Sequence, residues 1–258
     1  MEKTGAVLLS CILGVAAQAQ LIDDFSGSLS PYTDTTVLYS GGTAPATSML
    51  TFSDSTGALE ADMANINNTA VQALFLRSDY SLTVGETLSV TANWTLGNSQ
   101  DLGLCIASTA TPPAASINPL GNTRTSLSYA FIGIRGGNNH LVASGFDGAT
   151  SIATQQYQPG GTQVPTTLFI TETAPNTFTF GAIASTVSTN GGAIDLLTYT
   201  FVNNPGVGTA IGFYADMRAN GSVGTFDDLT ISVPEPATMA LCGLGGFLGL
   251  AGWVRRKR

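Results

Sequence analysis

From Thr87 to Trp94 the chain reads Thr-Leu-Ser-Val-Thr-Ala-Asn-Trp, apolar and polar side chains in strict alternation. Successive side chains of an extended strand point to opposite faces, so Leu88, Val90, Ala92 and Trp94 share one face and Thr87, Ser89, Thr91 and Asn93 the other. The same period recurs at Phe178, Phe180 and Ala182, at Leu197, Tyr199 and Phe201, and at Ile211, Phe213, Ala215 and Met217. A half-buried antiparallel strand reads this way. Further runs rich in Val, Ile, Thr, Phe and Tyr fall at about 35–40, 47–52, 57–63, 70–77, 101–107, 127–135 and 166–172, with turn-forming residues between them. No stretch of ten residues carries a helical stripe. About a dozen strands in all predict an all-β fold, a two-sheet antiparallel sandwich. The absence of a short repeat argues against a propeller or solenoid. The longest loops are expected at 108–124 and 145–165, where a sandwich carries its binding functions.

The two ends break this pattern. Residues 1–19 hold Lys3, an apolar run from Gly5 to Val15, and Ala17-Gln18-Ala19. Small residues at the first and third positions of such a triplet are what signal peptidase accepts, so cleavage is expected between Ala19 and Gln20. The apolar run is too short for a spanning anchor. At the other end Val233-Pro234-Glu235-Pro236 precedes eighteen largely apolar residues, Ala237 to Val254, and then Arg255-Arg256-Lys257-Arg258. At ~1.5 Å per residue that run would make a helix of about 27 Å, just enough to cross a hydrocarbon core. Its five glycines would weaken a soluble helix, and the basic cluster is expected to stay cytoplasmic. Residues 20–232 are left as one domain, a size that all-β sandwiches reach.

The order of Val-Pro-Glu-Pro, glycine-rich apolar helix and basic end resembles the PEP-CTERM sorting domain of bacterial exported proteins. The resemblance covers residues 233–258. It implies that an exosortase, an integral-membrane cysteine protease, recognises Val233, Pro234, Glu235 and Pro236 and cuts near them. The tail would then anchor the chain in the inner membrane only transiently, before the protein reaches the cell surface or the exterior. The family is associated with exopolysaccharide-producing, biofilm-forming bacteria, which makes exopolysaccharide a candidate partner. Two prolines keep such a segment extended and outside helix or sheet, as a protease requires.

Between Gln20 and Val233 fifteen Asp and Glu face four arginines, Arg77, Arg124, Arg135 and Arg218, with no lysine. Four scattered cations cannot form the basic patch that nucleic acid needs. Cys105 is the only cysteine of the body, Cys11 and Cys242 lying in the two end segments, so no internal disulfide staples the domain. The body opens with Leu21-Ile22-Asp23-Asp24-Phe25-Ser26-Gly27, passes Leu82-Thr83-Val84-Gly85-Glu86, and closes with Gly212-Phe213-Tyr214 and Gly224-Thr225-Phe226-Asp227-Asp228-Leu229. Together these resemble the concanavalin A-like (laminin G-like) jelly rolls. That resemblance implies first and last strands side by side in one sheet.

Candidate chemistry is sparse. His140 is the only histidine, placed beside Asn138-Asn139 in an expected solvated turn, and no Gly-x-Ser-x-Gly elbow occurs. Glu60-Ala61-Asp62 begins the Glu-x-Asp-x-x-Glu strand of some glycoside hydrolases of this fold, but Asn65 replaces its final Glu. Glycosidases need two carboxyls flanking the bond. The doublets Asp23-Asp24 and Asp227-Asp228 would converge if the terminal strands pair. They would then either hold a structural Ca²⁺ or splay toward solvent. Phe146 and Tyr157, in the expected 145–165 loop, are candidate glycan contacts. The expectation is a non-catalytic surface or matrix module, glycan-associated or structural; the alternative is a glycan-cleaving enzyme. Processing at both ends gives a mature chain that starts at Gln20 and stops near Val233 to Pro236. Intact-mass analysis of the exported form checks this, and a mass retaining Arg255–Arg258 would contradict it.

Overall fold

The computed structural model describes residues 19–40, 50–54, 57–63, 70–96, 100–111, 127–137, 140–157, 166–184, 193–204, 206–217 and 223–233. Residues 19–232 form one compact unit. The expected signal peptide up to Gln18, the apolar tail helix and the Arg255–Arg258 cluster lie outside the described residues. Among the described residues every regular element is a strand. They are β1 (Ala19–Asp23), β2 (Thr33–Ser40), β3 (Leu50–Ser53), β4 (Leu59–Met63), β5 (Ala70–Arg77), β6 (Thr87–Thr95), β7 (Asp101–Ala107) and β8 (Tyr129–Arg135). The second half adds β9 (His140–Asp147), β10 (Thr150–Tyr157), β11 (Thr166–Ala174), β12 (Thr177–Ala184), β13 (Ala193–Thr200), β14 (Ala210–Met217) and β15 (Val223–Ser232).

Two antiparallel sheets form a sandwich. The first runs β13-β12-β11-β6-β15-β4-β3, with β1 on β15, and the second β10-β9-β8-β7-β14-β5-β2. The expected loop 145–165 contains all of β10 and the last three residues of β9. The segment 145–165 instead begins with a hairpin, Thr150 opposing Asp147 and Ser151 opposing Phe146. The physical reason is position: β10 is an edge strand exposed on both faces at 153–156, so burial imposes no alternation on its sequence.

Alternation elsewhere lands as the pattern requires. Leu88, Val90 and Ala92 of β6 and Ile211, Phe213 and Ala215 of β14 are buried between the sheets. Phe213 sits 4.4 Å, ring to ring, from Phe226 of β15. The outward face of the first sheet is lined with hydroxyls that bond across strands, Thr87 to Thr171, Ser89 to Thr230, Thr177 to Thr200 and Thr179 to Thr198. These pairs stabilise the ladder without charge, which explains a surface with so few ionised side chains.

The second sheet is buried on both faces across its central strands β7, β8 and β14. Leu74, Leu76, Cys105, Tyr129, Phe131, Val142 and Tyr214 alternate with core residues and form a second apolar cluster on its outer side. Phe131 of β8 and Tyr214 of β14 stack at 4.1 Å although β7 lies between their strands. Their rings meet over β7 because its outward residues there, Gly103 and Cys105, are small. Gly103 also opposes Gly133, and a Cβ at Gly103 would collide with the Ile132 carbonyl oxygen. Gly103→Ala is therefore expected to lower stability by about 1–3 kcal/mol, the usual cost of overpacking. Urea denaturation checks this; an unchanged midpoint would show that β7 and β8 can separate freely.

Candidate functional site

The terminal strands pair as expected, Ala19 opposing Ser232 and Asp23 opposing Leu229. What neutralises Asp23 is a guanidinium. Arg77, at the end of β5 and almost fully buried, donates from Nη1 to Asp23 Oδ2 at 2.8 Å and grips Asp79 with Nε and Nη2, both at 2.7 Å. Its cationic carbon lies 5.0 Å from the Tyr32 ring centre and 5.2 Å from that of Tyr80. Burial pushes the Tyr32 hydroxyl well above the ordinary phenol range, so it remains neutral. The other Asp23 oxygen accepts the Phe25 N–H at 2.9 Å, which holds Phe25 at φ 53° with its ring in the core. Asp24 is fully exposed, and its bonds from the Ser26 hydroxyl and N–H draw its carboxyl below the usual range. Asp227 and Asp228 face solvent at a bulge of β15, Asp228 with φ 53°. Among the described residues no three His, Cys, Asp or Glu side chains group as a metal site. Asp23 accepts from Phe25 and Arg77 with its two oxygens, and Asp24 accepts twice from Ser26 on Oδ1.

The remaining candidates sit differently from expectation. His140 is no loop residue: it opens β9, and its Nε2 is buried without a partner. Glu60 and Asp62 lie on β4 of the first sheet, between the fully buried Leu59 and Ala61 and beyond, and so project from the outer face. Tyr157 ends β10 and packs against the main core from its edge. Phe146 is on β9, half-buried, 5.8 Å from the Tyr129 ring in the second cluster. Neither aromatic stands in a long loop, because β9 and β10 are a hairpin.

Strand register assembles a site that spacing along the chain conceals. His140 opposes Arg135, Arg135 opposes Asp101, Asp101 opposes Asp216, and Asp216 opposes Gln72. All five project from the outer side of the second sheet, next to the aromatic cluster, in one line across β9, β8, β7, β14 and β5. At ~4.8 Å between strands the line is about 19 Å long. Arg135 donates through Nε and Nη2 to the two oxygens of Asp101 at 2.6 and 2.5 Å, which holds the guanidinium even more firmly protonated than usual. Gln72 Nε2 donates to Asp216 Oδ2 at 3.2 Å, while Gln72 Oε1 is buried without a partner. A buried acceptor left open is the exception in folded proteins and is relieved by water or a ligand group. Chemically the row offers fixed donors and acceptors of the kind that hydroxyl-rich molecules match. At the far end of the same sheet Asp147, fully buried, accepts from the N–H groups of Val202 and Asn203 and from Ser128 Oγ. That carboxylate ties β9 of the second sheet to the segment after β13 of the first.

Comparison with known proteins agrees with this architecture. The description PEP-CTERM protein-sorting motif matches residues 232–258. The fold is similar to a β-glucanase of Bacillus licheniformis, at 9% identity, TM-score 0.50, with 85% of this chain and 98% of that one covered. It is similar to a xyloglucan-locus GH43B protein of Bacteroides ovatus, at 18% identity and TM-score 0.50, with 83% of this chain but only 38% of that one covered. The exoplasmic/lumenal domain of VIP36, in its Ca²⁺/Man3GlcNAc-bound form, matches at 9% identity, TM-score 0.50, with 83% and 87% covered. None of the curated proteins compared with the chain matches it in sequence. The chain thus has a two-sheet jelly-roll body, similar in fold to these proteins, and carries a PEP-CTERM sorting motif. The motif marks it as an exported protein processed by an exosortase and destined for the cell surface or beyond.

Arg77 carries a testable weight. Arg77→Met leaves Asp23 without its cation in a largely buried position and is expected to cost about 3 kcal/mol or more at neutral pH. Arg77 also holds the Asp79 carboxyl below its ordinary range. A depressed carboxyl contributes stability that is present above its unfolded value, about 3.9, and is lost as pH falls through the folded value. The wild type should therefore lose stability below about pH 4 more steeply than Arg77→Met. Parallel acid limbs in urea titrations from pH 3 to 7 would contradict the pairing.

Proposed function

We propose that this protein is a surface or extracellular-matrix component whose body is a non-catalytic module associated with exopolysaccharide. The observation that carries the body's part of this reading is the cross-strand row His140–Arg135–Asp101–Asp216–Gln72, with two buried polar atoms that lack partners. The row is long enough for several sugar units, and its rigid sheet holds hydrogen-bonding groups at fixed spacing, Asp101 and Asp216 buried and Arg135 partly open to solvent. The sorting motif supports delivery to where such polymers are found. Three neighbours of the same fold bear names tied to glucan, xyloglucan or an oligomannose glycan, which supports this class of ligand. The non-catalytic reading draws on Asp101, both of whose oxygens bind Arg135, and on Glu60 and Asp62, which stand on the opposite sheet.

A second reading, glycan cleavage, is favoured by the direct opposition of Asp101 and Asp216, since paired carboxyls are what glycoside hydrolysis uses. Incubating the mature protein with the polymers it binds separates the two: release of new reducing ends would establish cleavage. For binding itself, a glycan array probed with the mature protein should give hits that fall at least tenfold in His140→Ala and Gln72→Ala. His140 Nε2 has no partner, so His140→Ala should keep the wild-type melting temperature, whereas Gln72→Ala also removes the donor to buried Asp216 and is expected to cost about 1–3 kcal/mol, so its binding is read at a temperature where the variant remains folded. Unchanged binding, or a fall that merely tracks unfolding, would leave the row a structural feature.

A further inference from the structure

The two maturation points of the chain meet in one cross-strand pair. Signal peptidase is expected to cut after Ala19, the sorting motif begins at Ser232, and Ala19 opposes Ser232 in the folded sheet. Ser232 is paired with Thr87 of β6, and its hydroxyl reaches the Thr87 carbonyl at 3.5 Å; on the other side it opposes Ala19, so once signal peptidase has removed Ala19 the cover of β1 begins with Gln20 and reaches β15 as far as Ile231. Val233, the residue after Ser232, is exposed. The motif therefore follows the sheet without a spacer.

A protease binds its substrate extended, with backbone groups open to the enzyme. Backbone groups of an interior strand are already taken by both neighbours. In the mature chain the stretch of β15 from Leu229 to Ile231 is interior only because β1 covers that edge; β4 covers the other half, Val223 to Phe226. β1 is itself a slight element. Ala19, Gln20 and Leu21 are exposed, and what fixes the strand is Asp23 at its end, bonded to Arg77 and to the Phe25 N–H.

We propose that docked β1 sets the upstream limit of tail processing, so that the exosortase cuts C-terminal to Ser232 against a folded body. The same pairing orders maturation. The Ala19–Gln20 bond is inside β1, so signal-peptide removal precedes docking, and docking precedes the cut at the tail. This rests on the sorting reading above and goes beyond it by naming the element that defines the mature C-terminus.

The test uses the full chain expressed in an exosortase-containing host, as wild type, Asp23→Asn and Leu21→Pro. Asp23→Asn removes the charge that holds Arg77, and Leu21→Pro removes an N–H from β1 at a solvent-facing position. Proteinase K resistance of each purified body reports that the core has folded. Top-down mass spectrometry then reads the mature C-terminus. The expected wild-type product has a single end at Ser232 or beyond, whereas both variants give mixed ends shifted upstream by up to about three residues, into Leu229–Ile231, the stretch that mature β1 covers. A wild-type end upstream of Ser232, or the same single end in all three proteins, overturns the proposal while leaving the sorting reading intact. A tail that stays uncut in the wild type overturns both. If Asp23→Asn alone loses proteinase K resistance, Leu21→Pro decides.

Discussion

The sandwich closes only when its last strand arrives. β15 comes from the extreme end of the body, yet it lies in the middle of the first sheet, hydrogen-bonded to β6 along one edge and to β4 and β1 along the other. Without it, three strands would present unpaired edges, and Phe226, Leu229 and Ile231 would be missing from the core they help to fill. Such non-local pairing is entropically slow to form, because the loop between the partners must close before any contact is gained. An exported chain with this topology completes its fold after its C-terminal strand has crossed the membrane. The placement of a sorting signal directly after that strand follows the same logic.

Scarcity of charge shapes the rest of the energetics. The two arginines among the described residues of the body, Arg77 and Arg135, both grip aspartates in two-pronged bonds. A planar fork matched to a carboxylate is the ion-pair geometry that survives partial burial best. Asp147 goes further: N–H groups of Val202 and Asn203 and the Ser128 hydroxyl donate to it, and they compensate a fully buried carboxylate by number and direction. Elsewhere neutral hydroxyl pairs do what salt bridges do in more highly charged proteins. The outcome is an acidic surface around a structure whose polar bonds are mostly short-range and little screened by salt.

The second sheet is unusual in being apolar on both sides. Its inner face belongs to the sandwich, and its outer face collects aromatic rings over the small residues of β7. The polar row closes one end of that outer cluster. Burial of the aromatic layer and fixation of the row are linked, because Tyr214 and Asp216 alternate with core residues on the same strand, as do Phe131 and Arg135 on β8. A ligand on the row would rest on a platform with a core on either side. That gives the geometric stiffness that recognition by hydrogen bonds requires.

Much of this was legible in the order of residues alone. The alternation at Thr87–Trp94 and Ile211–Met217 dictated strands with one buried face, because a period of two allows nothing else to bury those side chains together. The apolar segments and the Val233–Pro236 tetrapeptide declared export and sorting, since such signals are read by their recipients as unfolded sequence. His140, Arg135, Asp101, Asp216 and Gln72 gave no such sign. They are spread along the chain from Gln72 to Asp216, 144 positions apart, and strand register alone lines them up. The acidic doublets show the same limit: their neighbourhood followed from the pairing of first and last strands, but the guanidinium that neutralises Asp23 comes from β5. Periodicity is a property of nearest neighbours along the chain, and the chain carries it wherever it goes. Which charge meets which, and which strand covers the end of β15, depends on contacts between distant segments, and those exist only once the two sheets have closed.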